Sequence, residues 1–210
     1  MQRMSSATTG LLSQVSAAGK PIGTAPSETV SASLPAVASD RLMAATPAKV
    51  DQALEAWLPQ QVASCLRSVT IDRTTQRYGF DQEFVRFEVV EVPGANALAE
   101  VREALRRHAA ACLPAPDERV VKELAALRVT TKSRPEADED IDFALRIYAE
   151  KLRDYPADIV LEVLRTQPSH SKFWPAWQEL QERLEWRAKK RRARRDALAA
   201  LLDRMEGEAA

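Results

Sequence analysis

The sequence predicts a mainly α fold: a helical bundle with a small β-hairpin in its N-terminal half and a long C-terminal helix. Three observations carry this. Apolar residues recur at spacings of three and four in successive segments from Val50 onward, as they do on the buried face of a helix. The last seventy residues hold a single glycine, Gly207, so little there interrupts helix. One stretch alone, about 68–92, is instead rich in β-branched and aromatic residues.

Residues 1–45 contain no aromatic side chain and consist largely of Ser, Ala, Thr, Gly and Pro. So little apolar surface cannot offset ordering entropy, and the segment is expected to be a disordered tail that can be removed without loss of stability. Leu11-Leu12 is too short for a signal-peptide core, and no window reaches the roughly 18 uninterrupted apolar residues of a membrane span. A bacterial cytoplasmic protein with no membrane partner is expected. Cys65 and Cys112 lie far apart, without a CxxC or Cys-His spacing, which predicts two reduced thiols and no zinc site.

A helical region with the hairpin is expected over 46–134. Thr46-Pro47 can open a helix over about 47–67, with proline at its first position and Val50, Leu54 and Trp57 on one face; Pro59 is its expected break. Val69 and Ile71, then Phe84 to Val92, predict two strands joined by a turn at Tyr78-Gly79-Phe80-Asp81. Pro93-Gly94 closes this unit. Asn96 can cap a helix to about Cys112, with Leu98, Val101, Leu105 and His108 inward, and Asp117 or Pro116 opens another with Val120, Val121, Leu124 and Leu127 inward.

A C-terminal helical module is expected over 135–210. Ile141, Leu145, Tyr148, Leu152 and Tyr155 form one apolar stripe, and the five carboxylates from Glu136 to Asp142 sit where a helix dipole favours negative charge, a helix start rather than a metal site. Pro156 is the expected first helical residue of the next helix, with Ile159, Val160, Val163 and Leu164 inward. A loop from Pro168 to Lys172 then leads to Phe173-Trp174-Pro175-Ala176-Trp177, an aromatic anchor at the head of the last helix.

That last helix carries the chain's charge segregation. Thirty Lys and Arg balance thirty Asp and Glu, yet seven of the nine residues from Arg187 to Arg195 are basic, while the block from Glu136 to Trp186 holds twelve carboxylates against six cations. Trp177, Leu180 and Leu184 set an apolar seam that Leu198, Leu201 and Met205 resume, and Arg187, Arg191 and Arg194 occupy it between them. Like charges at i and i+4 cost helix stability without a counter-ion. Nucleic-acid phosphate is therefore the expected counter-ion, with Arg187, Lys189, Lys190, Arg191, Arg192, Arg194 and Arg195 as contacts; solvated stems, and homo-oligomerisation through the terminal helix, are the alternatives. On this expectation, changing Arg191, Arg192, Arg194 and Arg195 to glutamine weakens nucleic-acid binding and leaves folding intact.

No catalytic constellation is present. The chain lacks a glycine-rich phosphate loop, GxSxG and HExxH, and offers only His108 and His170 as imidazole bases, so a non-enzymatic protein without cofactor or metal is expected. His108 is read as a packing residue, and His170, beside Lys172 and Trp174, as a recognition residue.

The run from Ile147 to Leu184 resembles small phage and prophage proteins that load or inhibit the bacterial replicative hexameric helicase. The resemblance rests on Tyr148, Leu152, Tyr155, Pro156, Val160, Leu164, Phe173, Trp174, Pro175, Glu179 and Leu180, and covers about forty of 210 residues. It implies a DNA-replication accessory factor that docks on the helicase, with His170, Lys172, Phe173 and Trp174 as partner contacts. A DNA-binding transcriptional regulator and a helical phage scaffold protein are the other readings.

Overall fold

The computed structural model describes residues 37–72, 83–132 and 141–208, and is mainly helical with one small antiparallel sheet. In chain order come α1 (Asp40–Ala44), α2 (Pro47–Ala56), α3 (Gln60–Ser64), β1 (Leu66–Asp72), β2 (Glu83–Val89), a 3-10 turn (Ala95–Ala97), α4 (Leu98–Ala111), α5 (Asp117–Thr130), α6 (Ile141–Leu152), α7 (Ala157–His170) and α8 (Trp177–Glu208).

α8 organises the molecule. Its 32 residues extend about 48 Å at the usual helical rise. Its buried face runs Leu180, Leu184, Ala188, Arg191, Leu198, Leu201 and Met205, a spacing of three and four broken only around residue 195. The N-terminal half of that face closes a core with α5, α6 and α7, built from Leu124, Leu127, Leu152, Tyr155, Ile159, Val160 and Leu164. The C-terminal half closes a second core with α3 and α4, through Val62, Cys65, Val101 and Ala104, and the base of the hairpin, Leu66 and Val89, packs on it. α2 adds a small cluster, Val50 and Leu54 against Ala111. An isolated two-stranded hairpin is marginal in water, and here its second strand lies on α8.

Several local expectations are corrected. Residues 37–45 are not part of a detached tail: α1 falls within them, Ala38 is buried, its N–H donates to Pro114 O at 3.0 Å, and Leu42 and Met43 pack on the first core. Pro59 does break the first helix, because it lacks the N–H that would continue it, and α3 restarts behind it. Asn96 lies in the 3-10 turn rather than capping α4, and Val121 is 41% exposed instead of inward. Pro156 stands before α7 rather than inside it, and α7 runs on through Pro168 to His170 where a loop was expected. Proline is tolerated there because it interrupts only the last turn. The last helix begins at Trp177, and the Glu179 carboxylate accepts from the Ala176 N–H at 3.1 Å, half of a capping box. The expected turn at 78–81 and the carboxylates Glu136 to Asp140 lie outside the described residues.

Candidate functional site

Arg191 sits where the two cores meet. It points inward from the middle of α8, and its side chain is 1% exposed. Its neighbours use all five guanidinium N–H groups. Nη1 and Nη2 donate to the two carboxylate oxygens of Asp158 at 2.8 and 2.9 Å, Nε donates to Asp51 Oδ1 at 2.8 Å, and Nη1 and Nη2 also reach the carbonyls of Ala111 (3.0 Å) and Pro47 (3.5 Å). The parallel two-point bond to a carboxylate is the strong geometry for arginine.

Helix ends explain why these partners lie there. Asp158, itself 3% exposed, stands in the first turn of α7, where the dipole favours a carboxylate. Ala111 is the last residue of α4, and its carbonyl is one of the acceptors a helix leaves unsatisfied. One cation therefore ties α8 to the start of α7, the end of α4 and the side of α2. Burial pulls the Arg191 pKa down, but Asp158 and Asp51 outweigh it and raise the value.

Most of the other basic residues also have partners within the chain. Arg187 pairs with Glu162 of α7, and Lys190 and Arg194 share Glu55 of α2 at 3.2 Å each. Arg194 also lies over the Phe87 ring, 4.7 Å from its centroid. Arg192 lies over Tyr155 at 4.7 Å, donates to the Asp154 carbonyl and reaches Glu185 at 3.4 Å. Arg195 pairs with Asp196 at 2.6 Å. Lys189 and Lys190 are exposed. The middle of α8, expected to be solvated or bound to an anion, is instead packed by Ala188 and Arg191, and carboxylates of α2, α7 and α8 stand beside its basic residues. Arg191 cannot reach a phosphate from where it stands, and changing it to glutamine would disturb the fold.

The residues expected to meet a partner lie together at the α7–α8 connection. His170 and Lys172 are exposed, and Phe173 and Trp174 are half-buried. The connection rests on a firm base. Trp174 and Trp177 pack on Tyr148 with ring centroids 5.6 and 5.7 Å away, and the Tyr148 hydroxyl donates to Pro175 O at 3.0 Å. Residue 132 bridges it from α5's end, Lys132 N–H to Lys172 O and Trp174 N–H to Lys132 O, both 2.8 Å. Arg128 lies over Trp174, 5.7 Å from its ring centroid, and the half-buried ring packs against the first core.

Two features escaped the sequence. The first is a groove of about 610 Å³ along the outer face of α8, with Val85 of β2 on its wall and Glu182, Glu185, Trp186, Lys189 and Asp196 along the helix. Trp186 is 61% exposed there. The second is a cavity of about 20 Å³ among α2, α4 and α8, lined by Asp51, Glu55, His108, Lys190, Arg191 and Arg194.

His108, which lines that cavity, is buried; its Nδ1 is 2.9 Å from the Ala104 carbonyl, and its Nε2 has no hydrogen-bond partner among the described residues. Burial pushes its pKa below 6.5; the Ala104 carbonyl opposes this, while Arg194 and Arg191 add to it. A histidine depressed in the folded state is neutral there at pH 7, so its stabilising contribution is intact above about 6.5 and is lost as pH falls through the folded value. Urea unfolding at pH 7 and pH 5.5 should show the native chain losing up to about 1.4 kcal/mol per pH unit. His108→Gln should remove most of that slope, and an unchanged slope would refute the assignment.

Among the described residues no group of His, Cys, Asp and Glu is placed to hold a metal ion, and no helix is long and apolar enough to cross a membrane. Burial raises the pKa of both free thiols, Cys65 and Cys112. No family model, curated protein or solved structure matches the chain.

Proposed function

We propose that this chain is a non-enzymatic docking protein, and that its partner is a bacterial replicative hexameric helicase met through the α7–α8 connection. The observation that carries the reading is the build of that connection: aromatic side chains and a backbone bridge fix it from behind, while His170 and Lys172 are exposed and Phe173 lies half-buried under Lys172. A surface held in one conformation loses little entropy on binding. The choice of helicase rests on the resemblance of the segment from Ile147 to Leu184, whose apolar positions Leu152, Tyr155, Val160, Leu164 and Leu180 here form one core.

The internal pairing of the basic run favours protein docking over a polyanion surface. Phosphate contact is confined, in this proposal, to the two exposed cations of the run, Lys189 and Lys190, the second of which shares Glu55 with Arg194. A transcriptional regulator would need a recognition helix with a free polar face, whereas α7 buries Ile159, Val160, Leu161, Val163 and Leu164.

Titration calorimetry of the full chain against the purified helicase tests the reading. A complex in the micromolar range is expected, weakened at least about tenfold by His170→Ala with Lys172→Glu and Phe173→Ala, which corresponds to about 1.4 kcal/mol. Circular dichroism should show the variant folded. Absence of a complex at about 50 µM, far above such a Kd, would overturn the proposal.

A further inference from the structure

We infer that the groove on the outer face of α8 is the seat of a second copy of this chain, with the two α8 helices antiparallel across a two-fold axis near Trp186. This surface is separate from the α7–α8 connection and does not depend on the docking reading.

Trp186 projects from the outer face of α8 into the groove. A large apolar side chain 61% exposed on an otherwise polar helix face is the kind of anchor that interfaces bury. It stands in the groove between Glu182 and Glu185 on one side and Lys189 and Lys190 on the other. The groove's charge is therefore divided along the helix, acidic before the tryptophan and basic after it, with Asp196 beyond. Such a division leaves a polyanion only the short basic part at Lys189 and Lys190, since it would meet carboxylates along the rest of its path.

The same division suits an antiparallel copy. A two-fold interface uses one patch twice, so each residue must meet its complement. With the two Trp186 rings side by side at the axis, Glu182 of each chain faces Lys189 of the other, and both contacts form together. The strip from Gln178 to Asp196 is about 27 Å long. At about 10 Å wide it falls well short of the roughly 800 Å² per partner of a standard interface, so the dimer is a weak one, with a Kd in the micromolar range or above.

Sedimentation equilibrium of the full chain from about 5 to 200 µM should show reversible monomer–dimer exchange in that affinity range. Glu182→Lys places lysine against lysine, and Lys189→Glu places glutamate against glutamate; each variant alone should be monomeric, with dimerisation weakened at least about tenfold. An equimolar mixture of the two should associate again, because each like-charged pair becomes an opposite one. Trp186→Glu should be monomeric and folded by circular dichroism. A native chain that stays monomeric to about 200 µM, a dimer that survives Trp186→Glu, or a mixture of the charge variants that stays monomeric would each overturn the inference.

Discussion

Replacing Arg191 with alanine is expected to cost about 3–5 kcal/mol, because it strands the buried Asp158 carboxylate without its partner. For a chain of this size that lowers Tm by about 6–20 °C. It is a large share of the roughly 5–15 kcal/mol that holds a domain folded. The loss belongs to the pair more than to the arginine. Arg191→Met combined with Asp158→Leu removes both charges and fills similar volume, so the double variant should recover most of the stability, since well-packed apolar residues often replace a buried ion pair without loss. The bonds to Asp51, Ala111 and Pro47 are also lost in that variant, and a residual deficit of about 1 kcal/mol is expected from leaving the helix-end carbonyl of Ala111 without its donor. Denaturant midpoints of the native chain, the two single variants and the double variant read this directly. An Arg191→Ala variant within about 1 kcal/mol of the native chain would show that the ion pair is not what joins the cores.

Leu184→Ala and Leu201→Ala should each cost about 2–5 kcal/mol, since both side chains are fully buried and truncation leaves a cavity. They lie in different cores. Leu184 packs with α6 and α7, and Leu201 with α3 and α4, yet both belong to α8, which neither core can lose. Either substitution is therefore expected to shift one cooperative transition. Tryptophan fluorescence, with Trp174 and Trp177 beside the first core, and helical circular dichroism from the whole chain should keep coincident midpoints in both variants. Two separated transitions in Leu201→Ala would show that the cores unfold independently.

Much of the fold was legible because it follows from local periodicity. The apolar spacing at Val120, Leu124 and Leu127, or at Leu180 and Leu184, fixes the inward face of a helix whatever that face meets. The antiparallel pairing of β1 with β2 was legible from β-branched composition. α1 was not, because Ala38 and Leu42 carry too little apolar surface to announce a packing role; what holds them is α7 and the chain at Pro114, more than seventy residues away. The internal pairing of the basic run was hidden for a related reason. A sequence shows charges along one chain, whereas the carboxylates that neutralise Arg187, Arg191 and Lys190 come from α7 and α2. A signal was present all the same: Arg191 stands in phase with Leu184 and Leu198, and Asp158 stands among aliphatic residues in the first turn of α7. Two opposite charges, each in an apolar phase, are the mark of a buried pair. Nothing local could distinguish Trp186 from Trp177, since exposure depends on which face of α8 the cores occupy.

The salt dependence of oligonucleotide binding tests most directly whether the basic run is folded inward. On single strands each phosphate neutralised contributes about 0.7 to the slope of log K against log salt. With binding confined to Lys189 and Lys190, the full chain should bind weakly with a slope no steeper than about −1.5, and Lys189→Gln should make it shallower still. A slope near −5, the value for all seven basic residues from Arg187 to Arg195, would require Arg191 to leave Asp158 and the other pairs to open, and would contradict the account.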